Sequence, residues 1–205
     1  LSGVSFEVGP GECLAIEGED ASGKSTLVDL LYGLRRPARG TIELNGVDLR
    51  SIRLDVARRH IAVVGRAEVF DGTLIENVSL GDESIKADEV ARILQTVDLT
   101  NELASLPDGL ASQVGTSGFR LTSSQRARLS VARALAQQPH VLLLDEAIDS
   151  LSPRLVHVLL NNLKRDYPSL SILLTTRRED VARRAVKRVK LRGEASGTTT
   201  EESSP

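Results

Sequence analysis

Hydrophobic positions recur along this chain with two different periods. Val4, Phe6 and Val8 alternate with polar residues, and a short apolar run follows at Cys13–Glu17. Both patterns predict strands, joined by the turn Gly9-Pro10-Gly11. Residues 27–34 read as a helix that ends near Gly33, and Pro37 stops it from resuming. Residues 41–44 predict a short strand before the turn signal Asn45-Gly46. The apolar run 60–64, closed by Gly65, predicts a buried strand. The middle of the chain has another character. Ile85, Val90, Ile93, Leu94 and Val97 form a helical stripe over 85–97. A second helix is expected over 123–136, with Leu129, Val131, Ala132 and Leu135 facing inward. Arg126, Arg128 and Arg133 are its polar positions, and Pro139 closes it. Strand character returns at 141–144. A helix with a first-turn proline then spans Pro153–Asp166, followed by a strand at 171–175 and a helix at 179–187.

Strands that alternate with helices predict an α/β fold, a mostly parallel sheet flanked by helices, with antiparallel strands at the N-terminus. The helical middle reads as an inserted α-helical subdomain. The expected organisation is a core over 1–68, the helical subdomain over 69–137, the rest of the core over 138–192 and a tail over 193–205. The tail is Gly, Ser, Thr and Glu with almost nothing apolar, a composition that predicts disorder.

Chemistry enters between the first strand and the first helix. The run Gly18, Glu19, Asp20, Ala21, Ser22, Gly23, Lys24, Ser25, Thr26 fits G-x-x-x-x-G-K-[ST], the phosphate-binding P-loop, in the strand–loop–helix setting that motif requires. Backbone N–H groups of such a loop wrap nucleotide phosphates, and the positive end of the helix faces them. Lys24 adds a point charge, and the Ser25 hydroxyl is a Mg²⁺ ligand. The run 141–146 complements it, with four apolar residues ending in Asp145 and Glu146. A buried strand delivers both acids to its C-terminal end, where ligands bind in α/β sheets. Asp145 suits Mg²⁺ binding through water, and Glu146 suits orienting or deprotonating the attacking water. A P-loop NTPase core is therefore expected, with a nucleoside triphosphate and Mg²⁺ as ligands.

Composition narrows the partners. The chain has 205 residues, 40% hydrophobic and 26% charged, as in ordinary globular domains. A net charge of −2 and aromatics at 2% argue against a nucleic-acid surface. No apolar run approaches the ~18–20 residues of a membrane span, and no signal peptide opens the chain. There is no Met and the chain begins inside a strand-like pattern, so a fragment with missing upstream sequence is expected. The single Cys13 lies in an apolar strand and reads as a small buried hydrophobe.

The run Leu121, Thr122, Ser123, Ser124, Gln125, followed by Arg126-Ala127-Arg128-Leu129, resembles the L-S-G-G-Q signature of ABC transporter nucleotide-binding domains. The order P-loop, signature, strand-end Asp-Glu, D-loop and switch position is similar to that family over residues 1–190. Phe70-Asp71-Gly72-Thr73-Leu74-Ile75-Glu76-Asn77-Val78 resembles the run F-x-G-T-I-x-E-N-I of its exporter branch. Leu106-Pro107-Asp108-Gly109-Leu110 through Val114-Gly115 resembles the approach to the exporters' cross-talk loop. The resemblance implies head-to-tail dimers in which each ATP lies between one domain's P-loop and the other's signature helix. It also implies a transmembrane domain on the same chain, placing this domain at the cytoplasmic face of a membrane.

Several positions depart from the family pattern, most of them near where the γ-phosphate would lie. Ser123 and Ser124 replace two glycines, which suit close approach and unusual φ. The Q-loop glutamine falls at Gly65 or Arg66, the D-loop Asp at Ser152 and the switch histidine at Arg177. Thr116 and Ser117 replace the usual acid and Arg of the cross-talk loop, and one P-loop glycine is Ala21. Arg177 is a candidate γ-phosphate contact in the manner of an arginine finger, alongside Glu146 and Lys24 as catalytic residues; the alternative is a solvated arginine. The expectation is an ATPase of reduced turnover that powers transport, with a heterodimeric partner favoured over a homodimer. The competing reading is a nearly silent ATP-binding half.

Overall fold

The computed structural model describes residues 1–104, 106–116, 118–191 and 200–203, the last four through their backbone. The chain divides into two compact units: residues 1–63, 139–146 and 169–205 form one, and residues 64–138 and 147–168 the other.

The first unit is built on a sheet. Its described strands are β1 (Cys13–Glu17), β4 (Ile61–Val64), β7 (Val141–Asp145), β8 (Ser171–Thr176), β9 (Lys187–Lys190) and β10 (Thr200–Ser203), in the order β10-β9-β1-β8-β7-β4. β1 runs parallel to β8 and β9, and β7 parallel to β8. β8 is buried along its whole length, as a central parallel strand covered on both faces must be. α1 (Lys24–Leu31) packs Leu27 and Val28 into a cluster with Leu14, Ile16, Ile61, Leu143, Leu173, Val189 and Leu191. A hairpin of β2 (Glu43–Leu44) and β3 (Val47–Asp48) turns at Asn45-Gly46, both with positive φ. Cys13 is partly buried at the start of β1, and desolvation of its thiol pushes it up to about 12, so it behaves as an apolar side chain at neutral pH.

Several elements differ from the sequence expectation. Val4, Phe6 and Val8 pack on the core in the alternation expected, but the segment forms no strand. The antiparallel pairing near the N-terminus is the β2–β3 hairpin instead. The helix α2 (Leu54–His60) was not legible, because Ala57 alone is buried and no apolar stripe exists to read. The helix expected at 179–187 stops as α8 (Glu179–Ala182), and Lys187 opens β9. One buried residue, Val189, between basic neighbours is too short a period-two signal; its register against Ile16 makes it a strand. Within the tail expected to be disordered, Thr200–Ser203 pairs antiparallel with β9 and closes that open sheet edge. Residues 193–199 and 204–205 lie outside the described residues.

The second unit is helical, with α3 (Leu74–Ser79), α4 (Ala87–Thr96), α5 (Thr100–Leu103), α6 (Ser123–Leu135) and α7 (Pro153–Asp166). A small antiparallel pair, β5 (Gly72–Thr73) with β6 (Gln113–Val114), completes it. Its limits exceed the 69–137 expected, since α7 packs here, where Asn162 donates to the Thr96 carbonyl at 2.9 Å. Side chains begin three of these helices. Thr73 and Glu76 form a capping box on α3, Thr122 and Gln125 one on α6, and Ser152 caps α7 ahead of Pro153. Arg128, expected on the polar face of α6, is instead 1% exposed. Its guanidinium donates to the carbonyls of Ser124 and Asp98 and pairs with Glu102 at 2.6 Å, and these bonds permit its burial.

Candidate active site

The loop from Gly18 to Gly23 is shaped by two left-handed residues, Ala21 (φ 61) and Gly23 (φ 96). Gly18 is required for packing, because a Cβ there would run into Ser22 Oγ and approach the Leu191 carbonyl. The loop returns through Ser22 N–H to the Glu19 carbonyl (3.2 Å) and leads into α1 with no side-chain cap. The first intrahelical bond is Leu27 N–H to Gly23 O, so the amides of Lys24, Ser25 and Thr26 at the helix start remain orphan donors. Ser22 is buried, and its Oγ has no hydrogen-bond partner. Lys24 is 5% exposed and donates to the carbonyls of Gly18 (2.6 Å) and Glu19 (2.8 Å). This arrangement concentrates unpaired donors and positive charge at one helix end, which is the physical requirement for holding an anion.

The carboxylates arrive from β7. Asp145 ends the strand, and Glu146 follows in the left-handed region (φ 52). Non-glycine residues rarely hold that backbone without support. Here Glu146 N–H reaches both Thr175 O (3.2 Å) and Thr175 Oγ1 (3.0 Å) on β8. The turn carries the Glu146 carboxylate to 3.2 Å from Lys24 Nζ and 3.8 Å from Arg177 Nε. Arg177 also donates to Asp20 of the loop at 3.2 Å. Asp145 differs from its neighbour: it accepts from Thr175 Oγ1 at 2.7 Å and has no cationic partner among the described residues. A carboxylate oxygen left free at Asp145, together with the hydroxyl of Ser25 that follows the P-loop lysine, is oxygen-donor chemistry that fits a hard divalent cation. Among the described residues no three His, Cys, Asp or Glu converge as a metal cage. Such an ion would therefore draw most of its ligands from phosphate and water, as Mg²⁺ does.

One unit therefore brings together Gly18, Glu19, Asp20, Ala21, Ser22, Gly23, Lys24, Ser25, Thr26, Asp145, Glu146 and Arg177. The signature residues Leu121, Thr122, Ser123, Ser124 and Gln125 belong to the other unit. Thr122 Oγ1 accepts from Gln125 N–H (3.2 Å) while Gln125 Oε1 accepts from Thr122 N–H (2.8 Å), and Gln125 Nε2 is held by Glu102 at 3.0 Å. Ser123 and Ser124 lie in the first turn of α6, outside the positive-φ residues, so the unusual backbone expected of two glycines is not needed here. What distinguishes the pair from Gly-Gly is Cβ and hydroxyl bulk. Gly65 and Arg66 follow β4, Ser152 serves as a helix cap, and Thr116 is bonded to Asp71. Ser117 lies outside the described residues. Sequence reasoning did not identify Thr175 or Glu102. The only signal for the first is a pair of threonines ending an apolar strand; for the second there is none.

An anion-ready loop at the carboxyl end of a parallel sheet, with an Asp-Glu strand end beside it, defines a P-loop NTPase. Residues 1–149 match the ABC transporter family, and the chain belongs to that family, as an ATP-binding ATPase domain of the exporter type. It is 38% identical over 176 residues to an ATP-dependent lipid A-core flippase of Chromobacterium violaceum, covering 84% of this chain and 30% of that protein. It is 41% identical over 152 residues to the mycobactin import ATP-binding/permease protein IrtB of Mycolicibacterium thermoresistibile, covering 74% and 26%. The structure of a bacterial Atm1-family ABC exporter with ATP bound superimposes with a TM-score of 0.84 at 28% identity, covering 93% of this chain and 34% of the other. The chain thus spans about a third or less of each of these relatives. Among the described residues no helix is long and apolar enough to cross a membrane.

Proposed function

We propose that this domain hydrolyses ATP with Mg²⁺ and that the cycle powers transport by a membrane domain to which it is attached, at the cytoplasmic face. The observation that carries this reading is the retained carboxylate of Glu146, held 3.2 Å from the P-loop lysine by a strained turn. A site that only bound nucleotide would have no use for a base in that place. The orphan amides of α1 and the unpartnered Ser22 Oγ supply donors for phosphate oxygens, and Lys24 contributes charge. Ser25 and Asp145 would hold Mg²⁺, which would supply charge neutralisation at the phosphates. Glu146 takes the proton from water as it attacks. Arg177, whose Nε lies 3.8 Å from the Glu146 carboxylate, can stand with its planar guanidinium against the γ-phosphate where the family has histidine. Arg177→Ala then lowers turnover much more than it lowers ADP affinity.

Head-to-tail pairing with a second nucleotide-binding domain follows from family membership, with ATP between one domain's loop and the other's signature. The departures support reduced turnover and favour a heterodimer, in which this P-loop face meets a partner's signature turn. The relatives bear names of both a flippase and an import protein, so the direction of transport follows the membrane part. A second reading is a nearly silent half. It is favoured by the resting contacts of Glu146, whose carboxylate is engaged by both Lys24 and Arg177. Phosphate release at saturating Mg-ATP over a range of protein concentrations, beside Glu146→Gln, separates the two. Turnover that disappears in the variant and rises faster than linearly with concentration supports the motor; tight ATP binding without release at any concentration supports the silent half.

A further inference from the structure

Thr175 lies on β8, one residue before the strand ends. It is 1% exposed, in a strand that is buried from end to end and carries Leu174 and Thr176 on either side of it. Burying a hydroxyl without bonds costs about 1–3 kcal/mol, so the bonds it makes define what it does. It stands in register with Asp145 on β7. Its single proton goes to Asp145 Oδ1 (2.7 Å), and its oxygen accepts Glu146 N–H (3.0 Å). One side chain therefore bonds to both acidic residues, to the carboxylate of one and to the backbone of the other.

We infer that Thr175 is the positioning residue for this acid pair: its hydroxyl fixes the Asp145 carboxylate for a divalent cation and pins the left-handed Glu146 that presents the base. The inference rests on the ATP-binding reading above. Asp145 has no cation among the described residues to orient it, so the hydroxyl is the contact that holds its rotamer. With one oxygen occupied by Thr175, the other stays available to a metal. Glu146 has a left-handed backbone that costs roughly 1–2 kcal/mol for a residue with a Cβ. The amide bonds to Thr175 offset that cost. A hydrogen-bond partner behind a metal ligand acts on the affinity and geometry of the metal, not on the phosphate loop.

The test compares the 205-residue chain with Thr175→Val, which keeps the shape and loses the hydroxyl, Thr175→Ser, which keeps the hydroxyl, and Thr175→Ala. ATP binding is measured by calorimetry with Mg²⁺ and with EDTA, beside the melting temperature of each protein. The expected result is metal-free affinity unchanged within about twofold in all four, with the Mg²⁺-dependent gain reduced about tenfold in the Val and Ala variants and restored in Ser. An equal Mg²⁺ gain in wild type and both hydroxyl-free variants overturns the inference and leaves the ATPase reading standing. Parallel loss of metal-free and metal-dependent binding also overturns it, since that is general loosening. If Thr175→Val does not fold, Thr175→Ala gives the same comparison. Absence of ATP binding by the wild type, with or without metal, removes the reading on which the inference rests and the inference with it.

Discussion

α1 and α6 begin in opposite ways. α1 starts at a left-handed glycine with no side-chain cap, and a buried serine beside it has an unpartnered hydroxyl. α6 starts at a threonine whose box with Gln125 closes on itself, and Glu102 holds the box from outside. Capping is worth about 1 kcal/mol to a helix. A chain that foregoes it at one end and completes it at another has assigned the two ends different work. The first is left unfinished for an external anion. The second is fixed in shape before any partner arrives. A buried arginine one turn further on extends that fixation: Arg128 ties α6 to the left-handed turn at Asp98 and to α5 through the same Glu102.

The largest expected effect tests the unfinished end. Lys24→Ala removes a nearly buried ammonium from a loop whose carbonyls it now satisfies. ATP affinity is expected to fall about 100-fold, roughly 3 kcal/mol, as for one member of a desolvated charge pair. The melting temperature should change less, because removing a desolvated charge offsets part of the lost bonding and water can reach the exposed Glu19. Calorimetric titration with ATP checks both halves of the statement. Retained affinity would mean that the orphan amides of α1 suffice by themselves, and the distinction between the two helix starts would then rest on backbone alone.

At the finished end the order reverses. Arg128→Ala deletes a guanidinium that is almost fully buried and leaves the Asp98 carbonyl and Glu102 without it. The expected loss is about 3 kcal/mol of stability, from lost packing and from the Ser124 and Asp98 carbonyls left without their donor, while Glu102, 41% exposed, can return to water. For a chain of this length that corresponds to roughly 6–12 °C in Tm. ATP affinity of the isolated domain should remain within about twofold, since Arg128 belongs to the other unit. Thermal melts and nucleotide titrations of this variant and of Lys24→Ala should therefore give crossed results. A variant that lost both properties together would show that the two helix starts are not independent.

How far these contrasts could be read in advance depends on how local they are. The P-loop was legible because spacing, glycine positions and the flanking strand and helix all lie within about fifteen residues. α7 was legible end to end, from its first-turn proline to Asp166. Arg128 was expected on the polar face of α6 because of its charge. Its partners come from residues about thirty positions upstream, which no periodicity reports. Thr175 escaped for the same reason, since the register that sets it opposite Asp145 joins strands thirty residues apart. Glycines in the family's signature suggested an unusual backbone, whereas Ser123 and Ser124 adopt the ordinary helical one. β9 and β10 show the limit in the other direction. A basic strand and a Thr-rich tail have almost no apolar pattern, and the open edge of a neighbouring strand decides their structure.

The smallest effect separates two capping boxes by their chemistry. α6 closes its box with Gln125, which does not titrate, whereas α3 closes an equivalent box with Glu76. The Glu76 carboxylate accepts from Thr73 N–H and Thr73 Oγ1, both at 2.7 Å. The backbone bond to Thr73, then its hydroxyl, holds the Glu76 carboxyl below its ordinary value. A depressed folded value means that the box contributes fully above the unfolded carboxylate range. Its contribution is lost as pH falls through that lower folded value. Hydrogen exchange read by NMR over pH 6 to 3, corrected for the intrinsic pH dependence, should show protection of the Thr73 amide declining. The Thr122 amide, bonded to Gln125 Oε1, should keep its protection over the same range. Glu76→Gln should make α3 behave like α6 and abolish the difference. Were both amides to lose protection together, acid would be loosening the whole helical unit, and the carboxylate of one box would not be the cause.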